Sequence, residues 1–210
     1  MVEQSDVDRL VAHIEQQLGQ RSTWAAWPGG WPDQVELALL DAVFSIQARS
    51  DGVRNVVERW RDRPGAGDLD DLNRLATIEP GTLAEQLANH QKVPGGSQTK
   101  ASAVVRAARN LIAVGVVEGT EVKYTPVQRR AFRSVAGLGP TTWTYLLMLL
   151  GHSNVKTDPM IQRFVTSALP DTRLSAAECG HLVRDAASHF DTTATALDRA
   201  IWNHQRHQRT

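Results

Sequence analysis

Ser134-Val-Ala-Gly137-Leu-Gly139-Pro140-Thr141-Thr142-Trp143 reads as two helices joined by a turn that holds two glycines. Upstream, Thr125-Pro126 supplies an N-cap and a first-turn proline for a helix running to Val135. Downstream, Trp143, Tyr145, Leu146, Leu147, Leu149 and Leu150 make a strongly apolar helix, so a helical hairpin is predicted over about 126–150. Glycine at 137 and 139 permits positive φ and close approach of another molecule to the backbone. The second helix opens with unpaired N–H groups and a positive dipole end. Such a turn can seat an anion, a DNA phosphate for example, with Thr141 and Thr142 as hydroxyl donors. An ordinary tight turn between packed helices carries the same residues, and the hairpin alone leaves both readings open.

Beyond the hairpin, Val155-Lys156-Thr157-Asp158-Pro159-Met160-Ile161-Gln162-Arg163-Phe164 places a carboxylate at a helix start. Asp-Pro is a good N-cap pair in its own right. It also follows an apolar helix that begins at the candidate phosphate seat, so the acid can be presented to a bound DNA strand.

The rest of the chain keeps the same periodicity, with apolar residues at spacings of three and four and no convincing alternation of period two. A first helix is predicted over about Asp6–Leu18. A buried one follows through Val35, Ala38, Leu39, Ala42, Val43 and Ile46, and a third over 51–61 is capped by Asp51. Short helices at about 68–76 and 81–89 precede one opening at Ser97 or Thr99, and Ser175-Ala-Ala-Glu178 forms a capping box. The fold class is all-α: one unit over 1–210 made of two lobes, the first from about 1–50 plus 158–210 and the second from about 51–157 with the hairpin.

Composition narrows the function. The chain has 210 residues, 41% hydrophobic and 22% charged, which excludes a disordered chain and a mini-protein. No window approaches the roughly 18 uninterrupted apolar residues of a membrane span, and the acidic start lacks a secretory flank. A cytoplasmic, nucleoid-associated protein without a membrane partner is expected. Cys179 is the single cysteine of the chain, so the sequence itself offers neither a disulfide nor four thiolates for an iron–sulfur cluster. His204 and His207 stand three apart with nothing to complete a metal site, and no side-chain metal site is expected. The zero net charge hides a split: residues 1–90 hold 8 basic and 15 acidic side chains, residues 91–140 hold 8 basic and 2 acidic. A concentrated basic stretch can meet phosphates in a neutral protein, because screening confines the attraction to about 10 Å.

These segments together resemble the helix-hairpin-helix DNA glycosylases with a Gly/Pro-rich loop and a downstream aspartate, the HhH-GPD superfamily. Gly137-Leu-Gly139-Pro140-Thr141-Thr142 looks like the hairpin, and Asp158 with Arg163 looks like the Asp and Arg of the catalytic helix. Ser45-Ile46-Gln47-Ala48 looks like the segment ending an early helix, and Gln98-Thr99-Lys100-Ala101 like the loop and Lys-Ala that open a later one. The match runs from about residue 30 to 170 in the family's order. It implies a two-lobe helical fold with a cleft between lobes and removal of an abnormal base from double-stranded DNA, which requires flipping the nucleotide from the stack.

On this resemblance Asp158 is catalytic and stabilises the oxocarbenium-like sugar as the base leaves. Gln47 fills the space vacated by the flipped nucleotide. Gly137, Gly139, Thr141, Thr142, Lys100, Lys156 and Arg163 contact DNA, and a monovalent cation sits at the Gly137 and Gly139 carbonyls. Members that also cut the strand carry a lysine where this sequence has Thr141. A threonine forms no imine, so a monofunctional enzyme is expected, with Lys156 as the one amine near Asp158. A π-rich pocket is expected from Trp24, Trp27 and Trp31, and would suit a cationic base such as an alkylated purine; a bulky modified base from foreign DNA, a deaminated base and a mismatch stay open as substrates. Asp41 is a second acid on the early helix without a matching family position. Two further readings stay open: a non-catalytic DNA-binding protein of the same fold, and a helical scaffold with no DNA role. A monomer is expected.

Overall fold

The computed structural model describes residues 4–24 and 29–207, and these are all-helical apart from turns and an isolated bridge between Lys92 and Thr99. Eleven α-helices are described: α1 (Gln4–Leu18), α2 (Val35–Phe44), α3 (Ser50–Arg61), α4 (Leu72–Thr77), α5 (Pro80–Gln86), α6 (Lys100–Ile112), α7 (Pro126–Arg133), α8 (Pro140–Leu149), α9 (Pro159–Ala168), α10 (Ala176–His189) and α11 (Ala194–His207). No helix among the described residues is long and apolar enough to cross a membrane.

The starts of the later helices lie where local hydrogen bonding puts them. Thr99, Thr125, Asp158 and Ser175 each accept a backbone N–H of the following first turn through the side chain, and Ser175 and Glu178 form the expected capping box. Asp51 departs from expectation. The cap of α3 is Arg49, which makes no side-chain cap bond, and Asp51 lies inside the first turn.

The chain divides into two compact units, Met1–Pro28 with Ser153–Thr210 and Gly29–His152. The expected boundary near residue 50 moves to 28, because α2 packs on α3, α6 and α8 rather than on α1. The reason lies in its sequence. Every α2 residue except Asp41 is buried, so the helix is apolar all round and needs neighbours on every side. Glu36 is the buried exception in charge. Burial raises its pKa, against the opposing effects of a 2.6 Å hydrogen bond from the Trp60 indole and the nearby Arg63 and Arg74 guanidinium groups.

In the first unit α1 lies against α9, α10 and α11, and its stripe Val7, Leu10 and Ile14 meets Ile161, Phe164, Leu182, Val183, Leu197 and Ile201. Full burial of side chains of this kind is worth about 1.5–3 kcal/mol each.

Candidate active site and nucleic-acid interface

Asp158 is the N-cap of α9, with φ −81° and ψ 173°. Its Oδ1 accepts from the Met160 N–H at 2.8 Å and the Ile161 N–H at 3.1 Å. Among the described residues Oδ2 accepts no hydrogen bond, and the side chain is half-buried. One oxygen therefore anchors the carboxylate to the helix and the other is left for chemistry.

The segment leading to Asp158 is pinned by α10 and α11. The Thr195 hydroxyl accepts from the Asn154 N–H and donates to the Asn154 carbonyl, each at 3.1 Å, and Asp198 Oδ1 accepts from the Lys156 N–H at 2.9 Å. From α10, Arg184 donates to Asn154 Oδ1 at 3.3 Å. Gly180 lets that helix come so close that a Cβ there would stand 2.5 Å from Thr157 Cγ2. Asp198 is 5% exposed. Burial pushes its carboxyl up to about 8 and the Asp158 carboxylate adds to the shift, while the Lys156 N–H and the Lys156 and Arg199 cations oppose it. Sequence reading missed Asp198. The available signal was its place in the stripe Ala194, Leu197, Ile201, where an acid interrupts an apolar face.

In the second unit the hairpin is formed by α7 and α8. Gly137 has φ +83°, and a Cβ there would stand 2.8 Å from Val93 Cβ, so both conformation and packing require glycine. Gly139 has extended backbone as the N-cap of α8, and the space where its Cβ would lie is open. Its freedom is thus one of approach rather than of φ. Pro140 occupies the first turn of α8 and Thr141 is half-exposed beside it. The expectation that the Thr142 side chain is offered to DNA is corrected: it is 8% exposed, because its place on α8 falls on the packed face. The Gly139 carbonyl accepts the Trp143 N–H at 3.1 Å, so a cation at the Gly137 and Gly139 carbonyls would share that oxygen with α8.

Gln47 follows α2 in a left-handed turn, φ 48°, with its side chain exposed. Lys100 is buried beneath that turn. Its Nζ donates to the Phe44 carbonyl at 3.0 Å, the Ile46 carbonyl at 2.7 Å and Gln91 Oε1 at 3.0 Å. The expectation that Lys100 meets DNA is corrected: all three ammonium protons are spent inside the protein, and the side chain tethers the chain just before Gln47. Burial lowers its pKa.

The tryptophans separate as well. Trp24 is half-buried and packs on the core of the first unit, 5.3 Å from the Phe190 ring, with its indole N–H on the Gly19 carbonyl, so part of the ring already serves as a packing anchor. Trp27 lies outside the described residues. Trp31, in the second unit, is half-buried and donates its indole N–H to Asp41 Oδ2 at 3.0 Å, while Tyr145 donates to Asp41 Oδ1 at 3.2 Å. Asp41 therefore has a defined part, orienting two aromatic rings. Arg163 is exposed on α9 and Lys156 is half-buried before it.

Comparison with known proteins adds a family and a fold. A family model described as "Domain of unknown function (DUF8548)" matches residues 8–206. No curated protein matches the sequence. Among solved structures, the chain is similar to the H. pylori 3-methyladenine DNA glycosylase bound to 1,N6-ethenoadenine, with TM-score 0.67, 17% identity and 98% of each chain covered. It is similar to the Schizosaccharomyces pombe 3-methyladenine DNA glycosylase in complex with abasic DNA, with TM-score 0.61 and 14% identity over 98% of this chain and 97% of that one. A third likeness is to the Clostridium acetobutylicum 8-oxoguanine glycosylase/lyase in complex with double-stranded DNA, with TM-score 0.60 and 10% identity over 98% of this chain and 68% of that one. The shared feature is the all-helical HhH-GPD fold.

Proposed function

The chain belongs to the DUF8548 family, and we propose that it is a monofunctional DNA glycosylase that flips an alkylated purine from double-stranded DNA and hydrolyses its N-glycosidic bond with Asp158. The observation that carries this reading is the division of labour within the Asp158 carboxylate: Oδ1 is fixed by two N–H groups of α9 and Oδ2 accepts nothing among the described residues. It sits on a fold shared with DNA glycosylases.

In the reaction the bond between the sugar C1′ and the base nitrogen breaks, and its electron pair leaves with the base. Asp158 Oδ2 stabilises the positive charge that grows at C1′ and orients the water that adds there; that water passes its proton to Asp158 Oδ2, which releases it to solvent, and an abasic sugar is left. A cationic alkylated purine leaves as a neutral molecule and needs no proton donor, so one carboxylate is enough. The Trp31 ring, held by Asp41, offers an electron-rich face to such a base. Two of the similar structures are of 3-methyladenine glycosylases, which agrees with this choice.

The hairpin backbone at Gly139 and Thr141 holds a phosphate, Gln47 fills the gap in the stack, and Lys156 and Arg163 contact the strand. Thr141 stands where strand-cutting relatives of the superfamily carry lysine, so no imine forms and the abasic strand is left intact. The protein acts as a monomer in the nucleoid.

The test is release of free bases, read by mass spectrometry, from methylated, deaminated, oxidised and hypermodified duplexes, with wild type beside Asp158→Asn. Release of alkylated purines by wild type alone is expected. Equal release by both proteins refutes the role of Asp158. No release from any duplex, despite binding that weakens steeply with salt, would make the chain a non-catalytic DNA-binding protein of this fold.

A further inference from the structure

Asp158 is fixed at its own helix by two hydrogen bonds, but the direction of its open oxygen depends on the chain that enters α9. That chain has two anchors on α11, one turn apart: Thr195 on Asn154 and Asp198 on Lys156. A surface loop would need neither, and a buried acid is a costly way to hold one backbone N–H when a serine or asparagine could accept the same bond. We propose that Asp198 is the positioning residue for Asp158, clamping the Lys156 N–H so that the Asp158 carboxylate keeps its place as charge develops on the sugar. The proposal rests on the glycosylase reading of Asp158.

Protonation sets the charge beside Asp158. The groups facing Asp198 are the Asp158 carboxylate at the start of α9, Lys156 in the entering chain and Arg199 on α11 itself. With a carboxyl raised to about 8, Asp198 is neutral at pH 7, and Asp158 has no second negative charge beside it. Above that pH Asp198 ionises; its bond from the Lys156 N–H tightens, but the two carboxylates repel and the Asp158 carboxylate is driven from its place.

Two experiments on the full chain separate this proposal from the reading beneath it. The first needs no activity: the Lys156 amide is followed by NMR between pH 5 and 10. It is expected to titrate with a midpoint near 8 in wild type and to show no such step in Asp198→Asn, which keeps an acceptor and cannot ionise. The second is single-turnover base release over the same range. Wild type is expected to lose rate about tenfold per pH unit above about 8, while Asp198→Asn stays flat there. Asp198→Leu, which removes the acceptor, lowers the single-turnover rate at every pH by tenfold or more with duplex affinity unchanged. A Lys156 amide that does not titrate, or an alkaline fall that survives in Asp198→Asn, overturns the proposal. A titrating amide in a wild type that releases no base overturns the glycosylase reading, and with it any catalytic purpose for the clamp.

Discussion

Replacing Lys100 by methionine keeps the buried stem and removes the ammonium group, so it isolates the tether beneath Gln47. Three acceptors then lose their donor: the Phe44 and Ile46 carbonyls and Gln91 Oε1. Gln91 is exposed and its side chain can turn to water, which leaves two carbonyls at the end of α2. A buried acceptor without a partner costs about 1–3 kcal/mol, or about 2–6 kcal/mol for the pair. Relief from desolvating the ammonium group offsets part of this, since burial already lowers the Lys100 pKa. A net loss of about 2–4 kcal/mol is expected, which at about 2–4 °C per kcal/mol for a chain of this length lowers Tm by roughly 4–16 °C. Thermal unfolding followed by circular dichroism measures it. Below the new Tm, amide exchange should quicken selectively at Ile46 and Gln47, where the tether acted. A variant within about 0.5 kcal/mol of wild type, with unchanged exchange there, would refute the claim that Lys100 holds this turn.

Further tests follow from single contacts. Asp158→Ala should cost about 0.5–2 kcal/mol in chemical denaturation because it removes the α9 cap, whereas Asp158→Asn retains a capping oxygen and should stay within about 1 kcal/mol of wild type; equal losses would show that the charge and not the cap matters for stability. Gly180→Ala puts a methyl 2.5 Å from Thr157 Cγ2 and should destabilise, although alanine is otherwise favoured in a helix by about 1 kcal/mol; adding Thr157→Ser deletes that methyl and should bring the double variant to wild-type stability or above. No rescue would place the clash elsewhere. Gln47→Gly suits the left-handed φ of 48° and should leave Tm unchanged or slightly raised while base release falls; base release at the wild-type rate would end the assignment of Gln47 to the DNA.

What could be read in advance was whatever the chain settles over a few residues. Thr125-Pro126, Asp158-Pro159 and Ser175 with Glu178 all mark helix starts through bonds spanning two or three positions, and the structure places each where the pattern does. The hairpin and the Asp158 turn were legible for that reason. Lys100 was misjudged because its partners Phe44 and Ile46 lie more than fifty positions away, and a lysine near a loop has the same sequence signature whether it faces water or carbonyls. Asp198 was hidden likewise, its partner standing at Lys156. Trp24 shows a different limit: an aromatic residue in a Trp/Pro/Gly-rich connection satisfies a pocket and a core equally until Phe190 is seen beside it. The apolar perimeter of α2 signals deep burial, but not the unit in which it is buried.

One unit of this protein is interrupted in sequence by the other, since Met1–Pro28 packs with Ser153–Thr210 while Gly29–His152 lies between them in the chain. During synthesis α1 therefore leaves the ribosome with Val7, Leu10 and Ile14 uncovered, and the helices that cover them are made only after the inserted unit. At about 5–20 residues per second the wait is roughly ten to thirty seconds, long enough for the inserted unit to fold first. Asp198, which pins the chain into Asp158, is translated forty residues after it. On the proposed reading of Asp158, its carboxylate is therefore set in place only once α11 has been made.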